Sequence, residues 1–138
     1  MGGVKSIEDA KADVYNYLLS RPGIFAIEFN RKCIGAIDLR LVPEHKKAGF
    51  GYVLNREFWG QGIMTEALSA LLRLCFEKLE LNRVEEHHYA GNEGSGRVMQ
   101  KCGMIFEGLS PQAERVKGVF RDVVRYGITR EQWLSLGK

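Results

Sequence analysis

One long stretch of the chain carries apolar residues at helical spacing, and most of the rest carries them in short alternating or continuous runs. From Gly62 onward, Ile63, Ala67, Leu71, Cys75 and Leu79 recur every four residues, with Met64, Leu68, Leu72 and Phe76 beside them. That pattern predicts a helix with a wide apolar stripe packed against a sheet. Ser6 to Ser20 predicts a second amphipathic helix, opened by a capping serine with Glu8 and Asp9 in its first turn and bearing Ile7, Ala10, Val14 and Leu18 on one face. Arg21-Pro22-Gly23 stops it, and Ile24 to Phe29 and Cys33 to Leu41 read as strands joined by the short turn Asn30-Arg31-Lys32. After a loop over Val42 to Ala48, strands are predicted at Phe50 to Leu54, Asn82 to Tyr89, Phe106 to Leu109 and Val119 to Ile128. A short helix is predicted from Asn92 to Cys102, ending at Gly103. The order implies an α/β (α+β) fold: a mixed, mostly antiparallel twisted sheet flanked by helices, in a single domain over residues 1–138.

Composition narrows the function. With 138 residues, 45% hydrophobic and 27% charged, the chain can bury one core without staples. The net charge of +3 comes from Lys and Arg scattered among acids, which argues against a nucleic-acid partner. No apolar run approaches the length of about 18 residues that spans a bilayer, and Met1 to Lys5 contains no signal-type apolar region, so a cytoplasmic protein without a membrane partner is expected. Cys33, Cys75 and Cys102 lack the paired spacing of a zinc or redox site, so reduced, mostly buried thiols and no metal are expected.

The most informative stretch is Phe58-Trp59-Gly60-Gln61-Gly62-Ile63-Met64-Thr65-Glu66-Ala67, a Gly-x-Gly turn running straight into a helix. Glycines permit positive φ and close approach of a ligand, and the first N–H groups of a helix point unpaired at an anion. A tight strand-to-helix turn without a ligand is the plainer reading. The P-loop is excluded because Ile63 and Met64, not Lys and Ser or Thr, follow Gly62, and the dinucleotide fingerprint is excluded because Thr65 stands at its third glycine.

The segment GYVLNREFWGQGIMTEAL resembles the acetyl-CoA-binding segment of GNAT acetyltransferases, and its Trp-Gly-x-Gly-x-x-x-Glu-Ala form resembles the RimJ/RimL branch. LNRVEEHHYAGNEGSGRVMQKCGMIFEG and GVFRDVVRYGITREQW resemble later segments of that branch, so the likeness runs from about Ile34 to Trp133. It implies an N-acetyltransferase moving an acetyl group from acetyl-CoA to a primary amine, either a protein N-terminus or a small amine. It also implies cofactor contacts from Val53, Leu54, Trp59, Gly60, Gln61, Gly62, Ile63, Met64 and Thr65, with Asn92 on the pantetheine arm. Arg97 and Lys101 lie where the adenosine 3′-phosphate rests in relatives, though a solvated helix face explains them equally. The same resemblance implies that a backbone N–H from the strand Phe50 to Leu54 polarises the thioester carbonyl, where neighbouring strands splay. Met64 departs from the Gly or Ala common in the superfamily, and a non-catalytic acyl-CoA-binding or assembly protein is the alternative reading.

The catalytic candidates are Ser95, Glu86 and His88. Ser95 matches a position proposed to donate toward the departing sulfur, with helix capping as the alternative. Met99 stands where many superfamily members carry a tyrosine acid. An alkyl amine of pKa near 10 must lose a proton to attack, so a base matters more than an acid. Glu86 and His88 share one face of their strand, where two ionisable groups are costly unless paired or functional; a water-facing edge or a mutual ion pair is the other reading. His87 and His45 read as surface residues, Glu107 resembles a recurrent family residue though structural hydrogen bonding explains it as well, and Asp122 and Trp133 read as fixing the closing strand and helix. Branch members begin with a strand and helix ahead of the segment resembling Ser6 to Ser20. An opening strand is therefore expected to be missing, leaving Ile24 to Phe29 an open edge that a second copy covers as a homodimer.

Overall fold

The computed structural model describes residues 4–5, 23–29 and 31–137. The strands are β1 (Val4–Lys5), β2 (Ile24–Phe29), β3 (Lys32–Val42), β4 (Lys47–Leu54), β5 (Arg83–Tyr89), β6 (Ile105–Val116) and β7 (Val119–Thr129). The helices are α1 (Ile63–Arg73), α2 (Glu93–Lys101) and α3 (Arg130–Ser135). The strands form one sheet in the order β1-β2-β3-β4-β5-β7-β6, antiparallel throughout except where β4 meets β5 in parallel. The helix expected over Ser6 to Ser20 lies outside the described residues, as does Asn30 of the first turn.

The apolar stripe of α1 does what its spacing predicts. Ile63, Met64, Ala67, Leu68, Leu71 and Leu72 are buried, and Leu74, Cys75 and Phe76 continue the stripe through a π-turn over Leu74–Lys78. Against it pack Phe25 and Ile27 of β2, Ile37 and Leu39 of β3, Ala48 and Phe50 of β4, Val84 of β5 and Ile128 of β7, every second residue of each strand. Cys75 and Cys102 are buried and Cys33 is exposed, and burial pushes the Cys75 thiol up to about 12. Among the described residues no helix is long and apolar enough to cross a membrane.

Two boundaries and one sheet edge differ from expectation. β4 begins at Lys47 rather than Phe50, because a single turn of 3-10 helix over Pro43–His45, closed by Lys46 in the left-handed region, replaces the expected loop. β6 runs to Val116 instead of stopping at Leu109, with register shifts between Phe106 and Gly108 and between Ser110 and Glu114. Pro111 sits within that second irregularity on an edge strand, where a missing N–H is tolerated. The edge of β2, expected to be open, carries β1 at its end, Val4 opposite Phe29 and Lys5 opposite Glu28.

At the other end of the fold, Thr129 and Gln132 close a reciprocal capping box that starts α3. Trp133 is thereby held in the core, its ring 5.3 Å from that of Phe76. Trp133→Ala removes a side chain only 3% exposed and is expected to lower unfolding free energy by about 3–5 kcal/mol in urea titration.

Candidate active site

The parallel pairing of β4 and β5 lasts for two residue pairs, Lys47 with Arg83 and Ala48 with Val84, and then the strands part. At Phe50, where the ladder would continue, side chains take over from backbone. The Phe50 N–H donates to Glu86 Oε1 at 2.9 Å, and the Phe50 carbonyl accepts from Arg40 Nη2 at 2.5 Å. Arg40 Nη2 also donates to Glu86 Oε1 at 2.5 Å, so one ion pair joins β3, β4 and β5 across the opening. Since the N–H groups of a strand alternate in direction, those of Tyr52 and Leu54 turn into the same gap as that of Phe50. The Leu54 carbonyl is taken by Trp59 Nε1 at 2.7 Å.

Beyond Trp59 the chain makes its glycine turn. Gly60 and Gly62 have φ of 76° and 79°, in the left-handed region, and a Cβ on either would meet no protein atom within 4 Å. Backbone conformation, not protein crowding, requires glycine here, and the space beside it is open to a ligand. The first helical hydrogen bond of α1 is Glu66 N–H to Gly62 carbonyl, so the N–H groups of Ile63, Met64 and Thr65 have no partner within the helix. These amides and the β4 end line a cleft of about 500 Å³ that continues along α2 past Asn92, Ser95, Arg97 and Lys101.

Two hydroxyl-bearing residues meet where the cleft reaches the gap. Tyr52 donates its hydroxyl to the Ser95 carbonyl at 3.0 Å, tying β4 to the first turn of α2. Burial pushes the Tyr52 phenol up to about 12, only partly offset by that bond, so it remains a protonated donor at neutral pH. Asn92 occupies the N-cap position of α2 without a capping side-chain bond. The unpaired amides of α1, the cations of α2 and the end of β4 beside the gap thus line one continuous cleft, with the polarity that suits an anion at the helix start.

Comparison with known proteins agrees with this geometry. Residues 1–105 match the Acetyltransferase (GNAT) domain family. The chain belongs to the GNAT acetyltransferases. It is 38% identical over 100 residues to the "Putative ribosomal N-acetyltransferase YdaF" of Bacillus subtilis, covering 72% of this chain and 55% of that protein. It is 34% identical over 128 residues to the ribosomal-protein-serine acetyltransferase of Escherichia coli, covering 89% and 72%. Thus the chain spans little more than half the length of some curated relatives. A solved "putative acetyltransferase from T. thermophilus" superposes with a TM-score of 0.75 at 34% identity, covering 93% of this chain and 70% of that one. The spermidine/spermine N-acetyltransferase SpeG of Vibrio cholerae, at 22% identity and a TM-score of 0.77, shares the fold.

In this GNAT chain, Ser95 and every residue expected to contact acetyl-CoA, apart from Gln61, line the one cleft. Gln61 instead donates to the Glu57 carbonyl. Glu86 and His88 share a strand face, as expected, but only Glu86 reaches the gap. His88 is 5% exposed, its ring stacked on Tyr126 and its Nδ1 2.9 Å from the Tyr89 carbonyl. His87, expected at the surface, lies 3.4 Å from Glu86 Oε2, because Glu86 turns edge-on through the opening toward the opposite face. Sequence reasoning passes over Arg40 and Tyr52. No local spacing marks Arg40, whose partner Glu86 is 46 residues away, while Tyr52 lies within a segment that reads as binding strand. Among the described residues no group of three or more His, Cys, Asp or Glu is placed to hold a metal ion.

Gly62→Val forces a β-branched residue into a left-handed conformation and puts its side chain in the ligand's space. Calorimetry is expected to show CoA affinity reduced about tenfold or more in a variant that remains folded by circular dichroism. Unchanged affinity would place the phosphates elsewhere.

Proposed function

We propose that this chain binds acetyl-CoA along the α1–α2 cleft and transfers its acetyl group directly to a primary amine, on a protein N-terminus or a small molecule. The observation that carries the proposal is the gap between β4 and β5, with backbone N–H groups directed into it from one strand and a phosphate-binding helix start at the end of the same cleft. Acetyl-CoA supplies a thioester whose carbonyl carbon takes the amine, the C–N bond forming as the C–S bond breaks and the thiolate departs.

The roles of the chain's own groups follow from position. The Tyr52 N–H donates to the acyl oxygen as negative charge develops. Glu86, joined to β4 at Phe50, is the base that removes the amine's proton through its second oxygen, with His87 beside that oxygen to pass the proton toward solvent. Ser95 steers the departing sulfur as a hydrogen-bond donor, since a thiol with pKa near 8.5 leaves without full protonation. His88 supports α2 from beneath and takes no part in proton transfer. The names of the B. subtilis and E. coli relatives, a "putative ribosomal N-acetyltransferase" and a ribosomal-protein-serine acetyltransferase, favour a protein acceptor and a cytoplasmic site of action.

The test is CoA release from acetyl-CoA over a panel of N-terminal peptides and small amines. The wild-type chain is expected to turn over at least one of them. Glu86→Gln, which keeps an oxygen acceptor for the Phe50 N–H, is expected to lower kcat about 10²-fold with acetyl-CoA affinity nearly unchanged. CoA binding without release from any acceptor would instead support a non-catalytic acyl-CoA-binding protein.

A further inference from the structure

A second cavity, of about 290 Å³, opens on the face of the sheet away from α1, over β4, β5 and β7. Alternation puts Arg40, Lys47, Arg83, His87 and Arg125 on this face, because their neighbours Leu39, Ala48, Val84, His88 and Tyr126 are turned into the core. Glu86 reaches the same cavity through the gap between the strands. Glycine keeps the floor beside it low, since a Cβ on Gly49 would lie 3.2 Å from Glu86 Oε1.

The cations of this cavity differ in one respect. Arg40 is paired with Glu86, Lys47 with Glu85, and Arg83 with both Glu85 and Glu107. Arg125 pairs with no carboxylate among the described residues. Its Nε donates to the neutral Ser110 Oγ at 3.2 Å, which leaves the two terminal nitrogens of a planar, permanently charged fork facing the cavity. The surplus charge of the cavity is therefore that of Arg125.

Its position relative to Glu86 gives that charge a use. His87 and Arg125 stand opposite each other in the β5–β7 ladder, where facing side chains start about 5 Å apart. His87 Nδ1 is in turn 3.4 Å from Glu86 Oε2. An extended peptide advances about 3.5 Å per residue, so an N-terminal amine held at Glu86 brings the side chain of the next residue toward Arg125. We propose that this cavity receives the acceptor and that Arg125 selects protein N-termini whose second residue is acidic. The carboxylate pairs with both terminal nitrogens of the guanidinium, a geometry that an amide or a lysine cannot reproduce. This rests on the N-acetyltransferase reading with Glu86 as base.

The experiment uses the full chain, acetyl-CoA and three peptides that begin serine-glutamate, serine-glutamine or serine-lysine and are otherwise identical, with spermidine as a small polycation. Wild type is expected to favour the glutamate over the glutamine peptide about fivefold or more in kcat/KM, through the peptide KM, and to lose that preference as salt is raised. Arg125→Gln is expected to bring the ratio to about one, Arg125→Lys to keep part of it, and Arg125→Glu to turn the preference toward the lysine peptide. The ratio is read within each variant, so a loss of activity common to all peptides leaves it unchanged. Equal kcat/KM for the glutamate and glutamine peptides in wild type, or a preference that survives Arg125→Gln, overturns this inference and leaves the enzyme reading standing. If none of the peptides releases CoA this inference falls, and the enzyme reading falls with it only if spermidine and the other small amines are inert as well.

Discussion

A backbone N–H or C=O that loses its ladder partner inside a protein must find another, and β4 loses its partner strand after Ala48. The site depends on how that loss is made good at Phe50 and left open beyond it. Arg40 and Glu86 satisfy both backbone groups of Phe50 and in doing so brace the two strands apart. The N–H groups of Tyr52 and Leu54 are directed the same way, into the gap. An uninterrupted parallel ladder would be a sounder sheet with nowhere for an acyl group to sit.

The brace makes sense of the charges around it. Arg83 is held by Glu85 and Glu107, and Lys47 by Glu85, on the face where Glu86 emerges. These contacts hold the Glu85 carboxyl below its usual range, Arg83 being the larger cause. Such half-exposed pairs add little stability each, but they keep the mouth of the gap polar and ordered. On the other side, the amides of α1 and the exposed Arg97 and Lys101 give the cleft the sign that a polyphosphate requires. The two faces of one sheet thus carry surfaces of different chemistry.

Long periodic features were legible in the sequence because many residues repeat the same signal. The α1 stripe, the Gly60–Gly62 turn and the alternation of β5 all stand where the pattern put them. Features set by one residue or by tertiary contact were not. Val4–Lys5 is too short a strand to show any period, and the irregular register of β6 made its polar, proline-bearing half read as loop. Period two placed Glu86 and His88 on one face but carried no information on which would turn edge-on into a gap and which would be covered by α2. Gly96 decided that for His88: a Cβ there would lie 2.8 Å from its Nε2. The Arg40–Glu86 brace is a contact between distant strands and leaves no trace in local spacing.

The central claim is that the β4–β5 gap and the start of α1 form one acyl-CoA site. Backbone amide NMR of the labelled chain, titrated with CoA and then with acetyl-CoA, tests it most directly. The account predicts that CoA shifts the amides of Gly62, Ile63, Met64 and Thr65, and that the acetyl form adds a selective shift at Tyr52. Shifts confined to the β6–β7 hairpin, or an unmoved α1 start at saturating CoA, would contradict it.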